Sequence, residues 1–459
     1  MKVTLLGTGV RSPGVLLSLA ALERELGITE VALHDSDAER LAIMGSLGAY
    51  LCRESGASFT VHAENDPRTA FAGSRFIYAA IRVGQDQARA LDERLALKHG
   101  LLGQETTGPG GFAMAMRTIP VMLGYARMIV DLAPDALVVN FTNPVGLIVQ
   151  ALCDHTSVNV VGVCDGPPEM HRSVARFLAM PRAEVHVDYV GLNHCGWIRR
   201  VLVDGHDRLP EILDRYEELQ RIDDKWKLFD PELVRSLGAL PMEYLYFYYY
   251  RDRAVEHIRR SGGTRGEQIA TLNATVWPAL RQSVDAGDFA GARDVWQRAL
   301  EARGATYFAR EQGEVVTDEK PWIHETTAPQ DLGGYAEAAG TVMASVARRR
   351  KASLVLDVPN QGAIRDLRDS DVVEVTCTVD QHGARPLAQG SLPDALRSLV
   401  EPVKEYERLT VEAAVEGSYE KALRALTVNP LVGSYPMAKS ILHDYLSAHT
   451  EFLGYLDAP

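Results

Sequence analysis

Short apolar runs alternate with amphipathic stretches through the first 195 residues. The runs Lys2–Leu6, Glu30–His34, Phe59–His62, Phe76–Ile81, Ala136–Phe141, Asn159–Val163 and Val185–Val190 have strand length and are bounded by polar or turn-forming residues. Between them, Pro13–Glu25, Ala38–Glu54, Gln87–His99, Arg117–Leu132, Pro144–Asp154 and Pro168–Leu178 carry helical patterns. Strands separated by helices need crossover connections, so the pattern predicts a doubly wound, mostly parallel α/β sheet of the Rossmann type.

After about residue 195 the rhythm changes. Ile198–Val203, Ser353–Val358 and Val372–Val379 read as strands of a second sheet, antiparallel or mixed. Long helical stretches surround them: Leu209–Leu219, Tyr244–Ser261, Gln268–Ala286, Ala290–Ala302, Tyr335–Ala347 and, with breaks, Leu396–Ala448. The expected organisation is a nucleotide-binding domain over residues 1–195 and an α+β domain over 196–459 for substrate, metal and subunit contacts. No linker separates the two, so a cleft between them is the default site.

Composition narrows the partners. A net charge of −13 and 46% hydrophobic residues describe a folded globular chain without the basic face that nucleic acid or an acidic membrane demands. Five scattered cysteines suggest no disulfide framework, and the first residues enter a strand directly without a leader pattern. No apolar run reaches membrane-spanning length. The expectation is a soluble, cytoplasmic protein acting on a small molecule.

Gly7-Thr8-Gly9-Val10-Arg11-Ser12 follows the first strand and opens a helix, the context a dinucleotide loop requires. Gly7 would allow the tight turn and Gly9 the close approach of a pyrophosphate, with Val10 and Ser12 completing the loop. Ser12 replaces the usual third glycine. Asp35, at the end of the second strand, could hold the ribose hydroxyls and repel a 2′-phosphate, which favours NAD over NADP. The alternative for Asp35 is a cap on the helix starting near Asp37.

Two further polar segments end apolar runs: Gly162-Val163-Cys164-Asp165-Gly166-Pro167 and Gly191-Leu192-Asn193-His194. A thiol and an imidazole at strand ends suit a transition metal better than calcium or magnesium, which take oxygen ligands. Cys195, next to the histidine, reads as structural.

The ordered set Gly103-Gln104-Glu105-Thr106-Thr107-Gly108-Pro109-Gly110-Gly111, Asn140-Phe141-Thr142-Asn143-Pro144, Gly162-Val163-Cys164, Gly191-Leu192-Asn193-His194 and Tyr244-Leu245 resembles glycoside hydrolase family 4. Within it, Pro167, three residues past Cys164, is similar to the 6-phospho-β-glucosidases. The resemblance implies NAD- and Mn²⁺-dependent hydrolysis of a glycoside by oxidation at carbon 3, proton removal at carbon 2, elimination and water addition. It implies Cys164 and His194 as metal ligands and Tyr244 as the base for the carbon-2 proton. Asn143, Glu105, Asp165 and Asn193 are expected at the substrate, with Arg89, Arg117 and Arg265 as candidates for a 6-phosphate. A homodimer or homotetramer is expected. One departure is Asp165, where the relatives have Asn, a change that leaves the sugar and its carbon-6 substituent open. The same mechanism on an unphosphorylated, uronate or sulfonate glycoside is one alternative. A 2-hydroxy acid dehydrogenase using His194 as acid/base is another.

Overall fold

The structure, a computed structural model, describes residues 1–308, 334–348 and 350–456. In chain order its strands are β1 (Lys2–Leu6), β2 (Glu30–His34), β3 (Thr60–Ala63), β4 (Ser74–Ala79), β5 (Leu137–Asn140), β6 (Asn159–Gly162) and β7 (His186–Leu192). There follow β8 (Cys195–Val203), β9 (His206–Asp207), β10 (Leu240–Pro241), β11 (Ala352–Pro359), β12 (Val372–Asp380) and β13 (Gly383–Pro386). The main sheet has the order β13-β12-β11-β6-β5-β4-β1-β2-β3. Its six strands from β6 to β3 are parallel, as the alternation of apolar runs and helices predicts.

Two expectations about the strands fail. The segments Ser353–Val358 and Val372–Val379 do not form a second sheet: β11 pairs antiparallel with β6 at Asp357 and Gly162, so β11–β13 extend the first one. Conversely, β7, read as part of the first alternating series, pairs antiparallel with β8 in a small sheet ordered β10-β8-β7. The reason is local. Only Asn193-His194 separate β7 from β8, too short for a crossover helix, and a two-residue connection can only make a hairpin. Thr376 ties the two sheets together, accepting from the Tyr189 amide at 2.8 Å and donating to the Val187 carbonyl at 2.9 Å.

Helices cover both faces, and the core follows the apolar pattern, with Phe76, Phe112 and Trp197 fully buried. The helix Pro109–Leu132 begins eight residues earlier than its apolar period suggests, inside the glycine-rich segment. Close approach explains the glycines there: a Cβ on Gly110 would lie 2.1 Å from the Gln104 carbonyl oxygen, and one on Gly111 2.2 Å from that of Thr106. Loop 104–106 is thereby pressed onto the helix start, which fixes where Glu105 and Thr106 stand. No described helix is long and apolar enough to cross a membrane.

Candidate active site

Several candidate residues lie at the carboxyl ends of the parallel strands, where open α/β sheets place ligands, and His194 stands in the adjoining β7–β8 turn. Gly7 leaves β1 with φ +101°, and a Cβ there would meet the Ala80 carbonyl oxygen at 2.3 Å. Nothing lies within 4 Å of the Cβ position of Gly9, so the loop keeps an open cradle where a pyrophosphate could approach the backbone. Ser12 starts the helix Ser12–Leu26 and donates to the Gly9 carbonyl at 2.9 Å. Val10 is buried, its carbonyl held by Trp296 Nε1 at 2.7 Å. Asp35 accepts from the Thr8 amide at 2.7 Å and from the Asp37 amide at 2.9 Å, which ties the loop to the end of β2. Asp37 caps the helix Ala38–Glu54. The open cradle and the half-exposed carboxylate fit a dinucleotide.

His194 sits in the β7–β8 turn at φ +61°, a conformation costing a non-glycine residue about 1–2 kcal/mol. Its Nδ1 lies 2.9 Å from Thr106 Oγ1, which leaves Nε2 for another partner. Burial lowers its pKa to about 4 against the opposing pull of Glu105, so the ring is neutral near pH 7, the form that binds metals. The Cys164 thiol is buried just past β6, and burial, with Glu374 and Asp165 nearby, pushes its pKa well above the usual range. Without a cation it stays a thiol; a divalent ion is what would make it a thiolate. Among the described residues no group of three or more His, Cys, Asp or Glu side chains could hold a metal, so a pair of protein ligands would leave positions for substrate oxygens.

Tyr244 is the tyrosine that the fold brings to this point. Its ring stacks on His194 with centroids 3.7 Å apart and planes within 5°. Of the rest of the aromatic run, Tyr246 stacks on Tyr250, whose hydroxyl donates to Asp230, and Tyr248 lines a small cavity that His194, Asn193 and Thr106 also line. Asn143 has a buried Oδ1 without a partner, an acceptor available to a hydroxyl. Asn193 instead spends its amide on Glu374 at 3.0 Å. Asp165 lies 3.9 Å from Arg11, and burial, then Glu169, raises its pKa above the usual carboxylate value.

The guanidinium groups separate into two environments. Arg89 bridges Glu93 and Glu105 at 2.8 Å each, and Arg82 also pairs with Glu105 at 2.7 Å. Burial pushes Glu105 up, but Arg89, Arg82 and Arg265 overcome it and hold the carboxyl far below its usual range. Glu105 is thus committed to arginines rather than standing free for sugar hydroxyls. Half-buried Arg303 faces Arg11, Arg265, Arg89 and Arg82; burial, then these like charges, lower its pKa to about 9. Arg265 also packs over the Tyr307 ring at 4.9 Å. Arg117 departs from the expected role. Its side chain is fully buried, donates to both Asp92 oxygens at 2.9 and 2.6 Å, and joins His449 there in a closed ion pair.

Sequence reasoning missed Arg82, Arg303, Tyr307 and Glu374. Arg82 lies three residues past β4, and the strand-end rule could have found it. Glu374 breaks an apolar strand run, which marks a buried polar position. Arg303 and Tyr307 belong to no motif, and only the packing of helix Phe289–Ala305 over the nucleotide loop brings them near.

Comparison with known proteins decides the family. The sequence model of the family 4 glycosyl hydrolases matches residues 2–180, and that of the family's C-terminal domain matches residues 189–432. The chain belongs to glycosyl hydrolase family 4. This family 4 chain is 31% identical over 464 residues to a probable 6-phospho-beta-glucosidase of Bacillus subtilis, covering 99% of this chain and 97% of that protein. It is 27% identical to a maltose-6'-phosphate glucosidase of Fusobacterium mortiferum, covering 97% of each. A solved 6-phospho-alpha-glucosidase from gut microorganisms, in complex with NAD and Mn²⁺, superposes with a TM-score of 0.80 at 27% identity and 98% coverage of both chains. A Plasmodium falciparum malate dehydrogenase, TM-score 0.52 and 13% identity over 91% of this chain and 99% of that one, shares the fold alone. The family match displaces the 2-hydroxy acid dehydrogenase reading, which leaves Cys164 and the glycine-rich segment without a role.

Proposed function

We propose that this family 4 enzyme hydrolyses 6-phosphoglucosides, β-linked ones first, with bound NAD and a divalent ion such as Mn²⁺. The observation that carries the phosphate is the arginine cluster. Arg82, Arg89 and Arg265 surround Glu105, and Arg303 sits among these like charges and Arg11. Such an assembly is costly to keep and is relieved by an anion bearing several oxygens. The β preference rests on Pro167 and on the Bacillus subtilis relative, set against relatives that act on α-linked phosphoglucosides.

When bound, NAD would take and return a hydride at carbon 3, and the metal ion would draw charge from sugar oxygens 2 and 3. The chain's own residues do the rest. Cys164 and His194 would hold the ion, Asn143 Oδ1 accepts from a sugar hydroxyl, and the arginines anchor carbon 6. Tyr244, stacked on His194, removes the carbon-2 proton; burial, then Glu105, raises its pKa, and a divalent ion held beside it would favour the phenolate. In this reading residues 1–195 supply the cofactor and thiol side, and 196–459 supply Tyr244, Arg265 and Arg303.

The test compares specificity constants for nitrophenyl α- and β-glucosides, each with and without a 6-phosphate, and for a 6-carboxylate and a 6-sulfonate. The proposal expects the 6-phospho-β-glucoside to lead, and Arg303→Met to cut its specificity constant by about ten- to a hundredfold with little change for the neutral twin. Equal constants for the phosphorylated and neutral sugars would refute the phosphate. Preference for another anion would move the assignment to it, and preference for the α-anomer would overturn the linkage alone.

A further inference from the structure

Beside Tyr244 stands a second phenol for which neither the motifs nor the family resemblance accounts. Tyr307 Oη lies 3.0 Å from Tyr244 Oη, with Tyr307 as donor, and 3.5 Å from Glu243 Oε1. The Tyr307 ring is packed from several sides. The Arg265 guanidinium lies over it at 4.9 Å, Lys225 Nζ lies 5.8 Å from its centroid, and Phe308 meets it at 5.0 Å. Phe308 in turn packs edge-on against Tyr244 at 5.6 Å and stacks on Phe247 at 5.2 Å. Segment 306–308 thus closes over the face of the site where Tyr244 works.

We propose that Tyr307 is a positioning residue for Tyr244: its hydroxyl aims the Tyr244 oxygen and gives it a hydrogen-bond donor while that oxygen takes charge. Two features support this. A Tyr244 ring held by stacking on His194 is fixed in plane, but its hydroxyl still needs a partner to set the direction of its free lone pair. The Arg265 guanidinium at 4.9 Å and the Lys225 ammonium at 5.8 Å from the Tyr307 ring centroid hold that ring, and with it the hydroxyl, in place against Tyr244. Glu243, whose carboxyl burial raises to about 6 against the pull of Lys225, is the longer, alternative acceptor for the same hydroxyl. The inference deepens the proposed role of Tyr244 as base and rests on it.

The experiment uses Tyr307→Phe, which keeps the ring and its neighbours and removes only the hydroxyl, beside Tyr244→Phe. Both are assayed as NAD- and Mn²⁺-loaded enzyme on nitrophenyl 6-phosphoglucosides of both anomers carrying hydrogen or deuterium at carbon 2. Tyr307→Phe should lower kcat by about ten- to a hundredfold, the loss of one hydrogen bond to a developing charge, with KM changed little. The isotope effect at carbon 2 should rise, because proton removal then limits turnover; a merely structural role would not move it. Nucleotide affinity, measured by fluorescence titration, should match the parent. Normal turnover in Tyr307→Phe with a crippled Tyr244→Phe would overturn this inference alone. An equal fall in kcat with an unchanged isotope effect would also overturn it. Normal turnover in Tyr244→Phe would overturn the underlying base assignment instead.

Discussion

Replacing Arg117 by methionine separates a structural cation from a substrate ligand. Its guanidinium is enclosed, and two of its donors meet the two oxygens of Asp92, itself 2% exposed. Methionine preserves most of the stem and removes the charge, which leaves the buried Asp92 carboxylate with the His449 ring at 2.6 Å. Breaking a buried ion pair at one end costs about 3–5 kcal/mol, much of it the penalty of the stranded carboxylate. For a chain of 459 residues that lowers Tm by roughly 3–5 °C. The double variant Asp92→Asn/Arg117→Met removes both charges and should cost clearly less than the sum of the two single changes. Scanning calorimetry of the three proteins, with KM for a phosphorylated and a neutral glycoside, is the assay. An Arg117→Met protein of unchanged Tm whose KM rises only for the phosphorylated sugar would refute the structural role and restore Arg117 to the anion site.

Cys164→Ser and His194→Ala should each lose bound manganese, measured by elemental analysis after gel filtration, together with activity; full metal content in both would reject them as ligands. The buried carboxyls of Asp357 and Glu374, directly paired across β11 and β12, are both shifted upward, chiefly by burial, so the folded state keeps protons that the unfolded chain releases above about pH 4. Their contribution to stability is therefore complete in acid and is lost as pH rises through the folded values, and Glu374→Gln should flatten the fall in Tm between about pH 5 and 8. An unchanged slope in that variant would contradict the shift. Asp35→Ala should weaken NAD affinity by loosening the loop that Thr8 ties to β2, read by nucleotide titration; unchanged affinity would remove Asp35 from the cofactor site.

The parallel half of the fold was readable because each strand there is a short apolar run followed by a helix, and both periods are local. The placement of β7 was also readable in principle, since a two-residue gap forbids a crossover, but a fully buried hairpin strand has the same apolar pattern as a parallel one. The joining of β11–β13 to β6 was not. It depends on a cross-sheet pairing at Asp357 and Gly162, about two hundred residues apart in the chain, which no local pattern records. Cys164, His194 and Tyr244 stood out in the sequence as motif positions, and the structure stacks Tyr244 on His194. The sorting of the arginines was not, because Arg117 and Arg89 look alike in sequence and differ only in which carboxylates surround them once folded. Arg303 and Tyr307 needed the fold itself.

The central claim is that Tyr244 takes a proton from carbon 2 while NAD⁺ is reduced and then reoxidised within one turnover. Hydrolysis of a 6-phosphoglucoside in heavy water, followed by proton NMR of the product sugar, tests it most directly. The account predicts deuterium at carbon 2 of the product, an absolute need for NAD⁺ and no net accumulation of NADH. Product formed at the normal rate with hydrogen retained at carbon 2, or full turnover after the nucleotide has been stripped away, would contradict it.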